Sequence, residues 1–203
     1  MTVVDTSDFN DLWLDSWLNQ PETDALVNHL SSFLPIIGVA PWVNTRSGSD
    51  QGRDYAALCE KDGQRLPHLW IDVKKYANDP GIGKFWCAYL VSPWSKKPGW
   101  AINPESQTDW VVWYYRETGR MESFHYPTLR KALTLNMREA FKRRNNFNVL
   151  RRGHELSGGA ILIRKEIIED LAEKCKDQEC GPYPISDFES IRKFGQNANW
   201  LST

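Results

Sequence analysis

The sequence predicts an α/β protein in which a mixed central β-sheet is flanked by helices. Three observations lead to that class. Apolar runs rich in β-branched and aromatic residues, Asp109 to Tyr115 and Ala160 to Ile163, read as strands. Stretches with apolar residues three and four apart, such as Leu129, Ala132, Leu133 and Met137, read as helices. After an N-terminal helix and a hairpin, the elements follow as strand, turn, strand and helix, an order that layers helices on a mixed sheet. A chain of 203 residues can bury one sizeable core. The expectation is a single domain over 1–203, with a core at about 20–135 and a C-terminal α/β extension at about 145–203.

The elements can be justified in order. Asp8 to Leu18 has amphipathic spacing, with Trp13 and Trp17 four apart, and Pro21 to Phe33 reads as a second helix with proline in its first turn. Leu34 to Thr45 is β-prone but interrupted by Pro35, Gly38 and Pro41. Ala56 to Leu58 and Leu66 to Ile71, joined by the turn pair Asp62 and Gly63, read as a hairpin. Lys84 to Val91 fits helix or strand equally by periodicity. Ser92 to Thr108 is a Pro/Gly-rich loop. Glu117 to Arg120 forms a turn into Met121 to Tyr126, and a helix starts near Pro127 or Thr128 and runs towards Phe141. Asn145 to Asn148 reads as a turn, Arg164 to Lys174 as a helix, and Asp177 to Thr203 as a surface-wrapping tail.

Composition narrows the function classes. The formal net charge of −1 carries no global basic signature, so any nucleic-acid contact must use localised charge. Such a cluster lies between Arg138 and Arg152, where Arg138, Lys142, Arg143, Arg144, Arg151 and Arg152 face only Glu139. The four cysteines form no CxxC pair, which fits a reducing cytoplasm. The N-terminus is acidic, no signal-peptide pattern is present, and no apolar run approaches the ~20 residues of a membrane span. Ten tryptophans exceed ordinary usage. Trp86, Trp94 and Trp100 flank or occupy the long loop, where packing beneath it and base stacking are the competing readings.

The chemistry concentrates between Arg46 and Lys74. Asp72 and Lys74 are separated by one residue, so on a strand both point to the same face. Asp54 opens the first strand of the hairpin and Asp72 closes the second, which puts them at the same end. Two aspartates and the Val73 carbonyl would suffice for Mg²⁺, which takes oxygen ligands and keeps several waters. Lys74 would act as base or stabilise charge on the phosphate. Lys75 points to the other face and reads as sheet surface.

These residues resemble the PD-(D/E)XK nuclease superfamily with its restriction-endonuclease-like fold, and within it the Holliday-junction-resolvase-type members. The resemblance covers roughly residues 20 to 135 and departs at Arg53, where proline is common, and at Asp72, where glutamate is commoner. It implies a metal-dependent deoxyribonuclease, an endonuclease rather than an exonuclease, using Mg²⁺ with Mn²⁺ as substitute. Asp54 and Asp72 would be metal ligands together with Val73. Glu22 would be the helper acid of the first helix, with Asp24 the other choice. DNA is the implied partner, with a homodimer as one arrangement. Arg46, Ser47 and Ser49 would contact phosphate from a Ser/Gly loop, while Lys96, Lys97, Arg143, Arg144, Arg151 and Arg152 would position the backbone. Two other readings stand beside it. One is a nuclease-like fold kept for binding nucleic acid or a nucleic-acid enzyme, and the other is a small-ligand or carbohydrate-binding module using exposed tryptophans.

Overall fold

Asn19 starts the first described element by closing a capping box: its side chain accepts from the Glu22 N–H (3.0 Å) and its own N–H donates to Glu22 Oε2 (2.9 Å). With Pro21 in the first turn, this fixes helix α1 as Gln20–Ser31, close to the expected Pro21 to Phe33. In this computed structural model the described residues are 19–41, 53–90, 98–152 and 155–179. The expected helix Asp8 to Leu18 and the tail beyond Glu179 lie outside them. Chain contacts gather into two units, Met1–Asp79 with Val111–Ser123 and Pro80–Trp110 with Phe124–Thr203. The architecture is α/β, with a mixed sheet and flanking helices.

In the first unit, α1 buries Leu26 and Leu30, four residues apart and so on one face, and packs beside β1 (Ile36–Pro41). Strands β2 (Tyr55–Lys61) and β3 (Gln64–Tyr76) form the predicted hairpin. Its turn holds Asp62 at φ 54° and Gly63 at φ 74°. Two successive positive φ values make a type I′ turn, whose twist matches that of the strands. The sheet order is β1-β2-β3-β5-β6, with β5 at Trp110–Tyr115 and β6 at Arg120–His125. β1 to β3 pair antiparallel. Just past β3 and β5, Arg116 N–H donates to the Tyr76 carbonyl and Glu117 N–H to that of Ala77, ascending together as parallel neighbours do. On β2, buried Tyr55, Ala57 and Cys59 alternate with less buried Ala56, Leu58 and Glu60, so one face of the hairpin meets the core. The turn from β5 to β6 is tied by Asp79, whose Oδ2 accepts from Thr118 Oγ1 (2.7 Å) and Arg120 Nε (2.8 Å).

The second unit contains an antiparallel sheet of order β4-β8-β7. Here Lys84 to Leu90, open between helix and strand in the sequence, is strand β4. Phe85 and Cys87 are buried while Trp86 and Ala88 are half-buried, a period of two that β4 achieves by pairing with β8 (Glu155–Arg164). Thus β4, from the stretch expected to form the core, is partnered by the C-terminal extension. The expected Asn-rich turn is a correction. Asn146 begins strand β7 (Asn146–Arg152), because the apolar β8 offers a ladder that outweighs the local turn preference of asparagine.

The helix expected from Thr128 to Phe141 is divided into α2 (Tyr126–Leu135) and α3 (Met137–Arg143). Asn136 breaks it: its side-chain amide donates to the carbonyls of Ala132 (3.2 Å) and Leu171 (3.3 Å), competing with the helical ladder. Helix α4 (Lys165–Lys174) buries Ile168 and Leu171. The described part of the long loop contains a 3₁₀ turn, Trp100–Ile102, held by Tyr126 Oη donating to the Trp100 carbonyl (2.6 Å).

Candidate active site

The hairpin register sets the site. Tyr55 pairs with Ile71, so the residue before Tyr55 falls beside the residue after Ile71. Asp54 N–H donates to the Ile71 carbonyl (3.0 Å), and Asp54 Oδ2 accepts from the Val73 N–H (2.8 Å). These bonds pin the Asp54 carboxylate across the strand against Asp72. Two residues along β3, Lys74 Nζ lies 2.6 Å from Asp72 Oδ1. The spacing of Asp72 and Lys74 thus does what a period of two requires. β3 runs on to Tyr76, so Asp72 lies opposite the start of β2 and not at the end of β3.

Electrostatics in this cluster are strained by burial. The Asp72 side chain is only 2% exposed, whereas Lys74 keeps 24%. Asp54 is pushed from 3.8 up to about 7, first by burial, then by the negative charge of Asp72 and their shared hydrogen bond. Lys74 and the Val73 N–H oppose that rise without cancelling it. For Lys74, burial works against the ammonium, but Asp72 and then Asp54 outweigh it, and its pKa is raised. Asp72 Oδ1, although close to the ammonium, has no aligned hydrogen-bond donor. The contact is a close ion pair between a buried carboxylate and the ammonium.

A hard divalent cation suits these donors. They are all oxygens, from a buried and a half-buried carboxylate crowded together, a donor set that hard cations such as Mg²⁺ favour. Among the described residues, no group of three or more His, Cys, Asp or Glu is assembled, so water and backbone oxygen would complete the shell. The Val73 carbonyl is the nearest backbone donor in sequence.

The other expected residues are placed differently. Glu22 is engaged by the capping box, by Lys75 Nζ at 3.7 Å and by the Tyr114 hydroxyl. Lys75 points opposite to Lys74, so the structure ties Glu22 to the face of β3 away from Asp72. Lys75 is therefore a buried-side partner and not plain sheet surface, and Tyr114 was not singled out by any sequence signal. Asp24 accepts from Gln20 Nε2 on the exposed side of α1 (2.8 Å). Arg143 pairs with Asp170, which Lys174 also meets at 2.9 Å, and the two cations hold that carboxyl below its usual range. Arg144 folds back on the Phe141 carbonyl with its guanidinium 5.6 Å over the Phe141 ring. Arg151 and Arg152 lie on β7 opposite Leu156 and Glu155. Arg46, Ser47, Ser49, Lys96 and Lys97 lie outside the described residues.

No helix among the described residues is long and apolar enough to cross a membrane. No protein-family model matches the chain, and no curated protein does. Among solved structures, the chain is similar to a nuclease from a fusselovirus, at 12% identity, covering 88% of this chain and 100% of that one with a TM-score of 0.34. What the site can do chemically follows from its own geometry: a buried and a half-buried carboxylate crowded beside an ammonium, gathered at one end of a hairpin.

Proposed function

We propose that the protein is a metal-dependent nuclease hydrolysing phosphodiester bonds of DNA, built on a restriction-endonuclease-like core. One observation carries this reading. Asp54 and Asp72 are held against each other in a buried place, beside a lysine paired to Asp72, at a cost that a bound cation would remove. Asp54, Asp72 and the Val73 carbonyl would hold Mg²⁺, with Mn²⁺ as substitute. When bound, the ion would lower the pKa of a coordinated water and stabilise charge on the scissile phosphate. Lys74, kept protonated by the two carboxylates, serves as the charge stabiliser and not as the base. The Val73 N–H orients the Asp54 carboxylate. Glu22 acts in this reading through α1 and Lys75 and positions β3 from behind.

Cleavage of linear duplex, supercoiled, single-stranded and four-way-junction DNA with Mg²⁺, Mn²⁺ or EDTA tests the proposal, run beside Asp72→Ala and Lys74→Ala. Metal-dependent cutting that is lost in both folded variants is the expected result. Retained cutting by Asp72→Ala overturns the assignment. A second reading, the same fold kept for binding, is favoured by one feature: Arg143 and Arg144, expected to meet DNA, are turned onto protein groups. Calorimetric Mg²⁺ binding without turnover on any of these substrates would select it.

A further inference from the structure

The residue before Asp54 sits on the hairpin beside the proposed site. Arg53 stands with its guanidinium carbon 4.7 Å from the centroid of the Trp70 ring. Its Nε is buried without a hydrogen-bond partner, and no carboxylate among the described residues pairs with it. Trp70 faces Ala56 across the hairpin and shares its face of β3 with Asp72 and Lys74. His68, exposed and also on that face, meets the Trp70 ring edge-on at 4.6 Å. A cation is thus propped on an aromatic ring, next in sequence to one metal-site carboxylate and two residues along the strand from the other.

We infer that Arg53, oriented by Trp70, binds a phosphate of the substrate backbone flanking the scissile one; this rests on the nuclease reading above. An arginine held over a ring face keeps its terminal donors for an anion, and its planar fork suits two phosphate oxygens at once. The stack holds the guanidinium before substrate arrives, so little side-chain freedom is lost on binding. The charge also answers a difficulty of the site. Asp54 and Asp72 repel a polyanion; Lys74 is paired with Asp72, whereas Arg53 has no carboxylate partner among the described residues.

Anisotropy of a fluorescein-labelled duplex oligonucleotide, titrated with protein in Ca²⁺ at several salt concentrations, tests the assignment. Arg53→Gln is expected to weaken binding roughly tenfold and to make the slope of log Kd against log salt shallower by about 0.9, the loss of one phosphate contact. Arg53→Lys keeps the slope but loses affinity several-fold, because an ammonium cannot stack and fork together. Trp70→Leu behaves like Arg53→Lys. A wild-type protein that binds DNA with a slope unchanged in Arg53→Gln overturns this inference alone. Failure of the wild type to bind or cut any DNA overturns the nuclease reading and this assignment with it.

Discussion

Replacing Asp54 by asparagine should make the metal-free protein more stable at neutral pH, although it removes a residue of the proposed site. The folded protein holds this carboxyl at about 7 against an ordinary 3.8. A group whose folded pKa is raised adds stability that is complete below the unfolded value and is lost as pH rises through the folded one. The wild type therefore weakens between about pH 4 and about pH 7, whereas the variant has no carboxyl to ionise there. At about 1.4 kcal/mol per tenfold change in proton affinity, the gap between 3.8 and about 7 is worth about 4 kcal/mol. For a chain of this size that is roughly 10 °C in Tm. Asparagine keeps an oxygen for the Val73 N–H, so the local backbone is retained. Thermal and urea unfolding of both proteins in EDTA, from pH 4 to 8, gives the difference directly. It should grow towards neutral pH and flatten above it. Saturating Mg²⁺ should reverse the order by stabilising only the wild type. A difference that stays constant across this range refutes the claim that Asp54 and Asp72 are in electrostatic conflict.

Other substitutions separate chemistry from support. Lys74→Met should abolish cleavage with little change in DNA affinity, read as a fall in kcat at constant KM, because the ammonium answers charge that develops in the transition state. Asn19→Ala opens the capping box of α1 and should cost about 1 kcal/mol by urea unfolding, leaving kcat within a few-fold of wild type. Gly63→Ala puts a side chain at φ 74° in the hairpin turn, and should destabilise by about 1 kcal/mol or more on the same measurement. Arg143→Ala should leave the salt slope of DNA binding unchanged, since its charge is already held by Asp170; a shallower slope would return this arginine to the DNA-binding set.

Much of the hairpin and part of the site were legible from local chemistry. Asp62 and Gly63 tolerate the positive φ of a tight turn, and the strand period then assigns Asp72 and Lys74 to one face. Those two rules place Asp54 beside Asp72 with no knowledge of what the sheet packs against. The helix after Asn19 was equally readable from its proline and amphipathic spacing. What tertiary structure decided is of another kind. Lys84 to Leu90 became a strand because the distant β8 supplied a partner, and Asn146 began one because it pairs with Leu162 on the strand that follows. Glu22 turned to Lys75 and Tyr114 because α1 packs where only the far face of β3 is in reach. Arg143 was satisfied by a carboxylate on a helix far along the chain. Neither the conflict between Asp54 and Asp72 nor the seat of Arg53 on Trp70 is written in residue spacing. Both depend on burial and on distance through space, which periodicity along one strand does not encode.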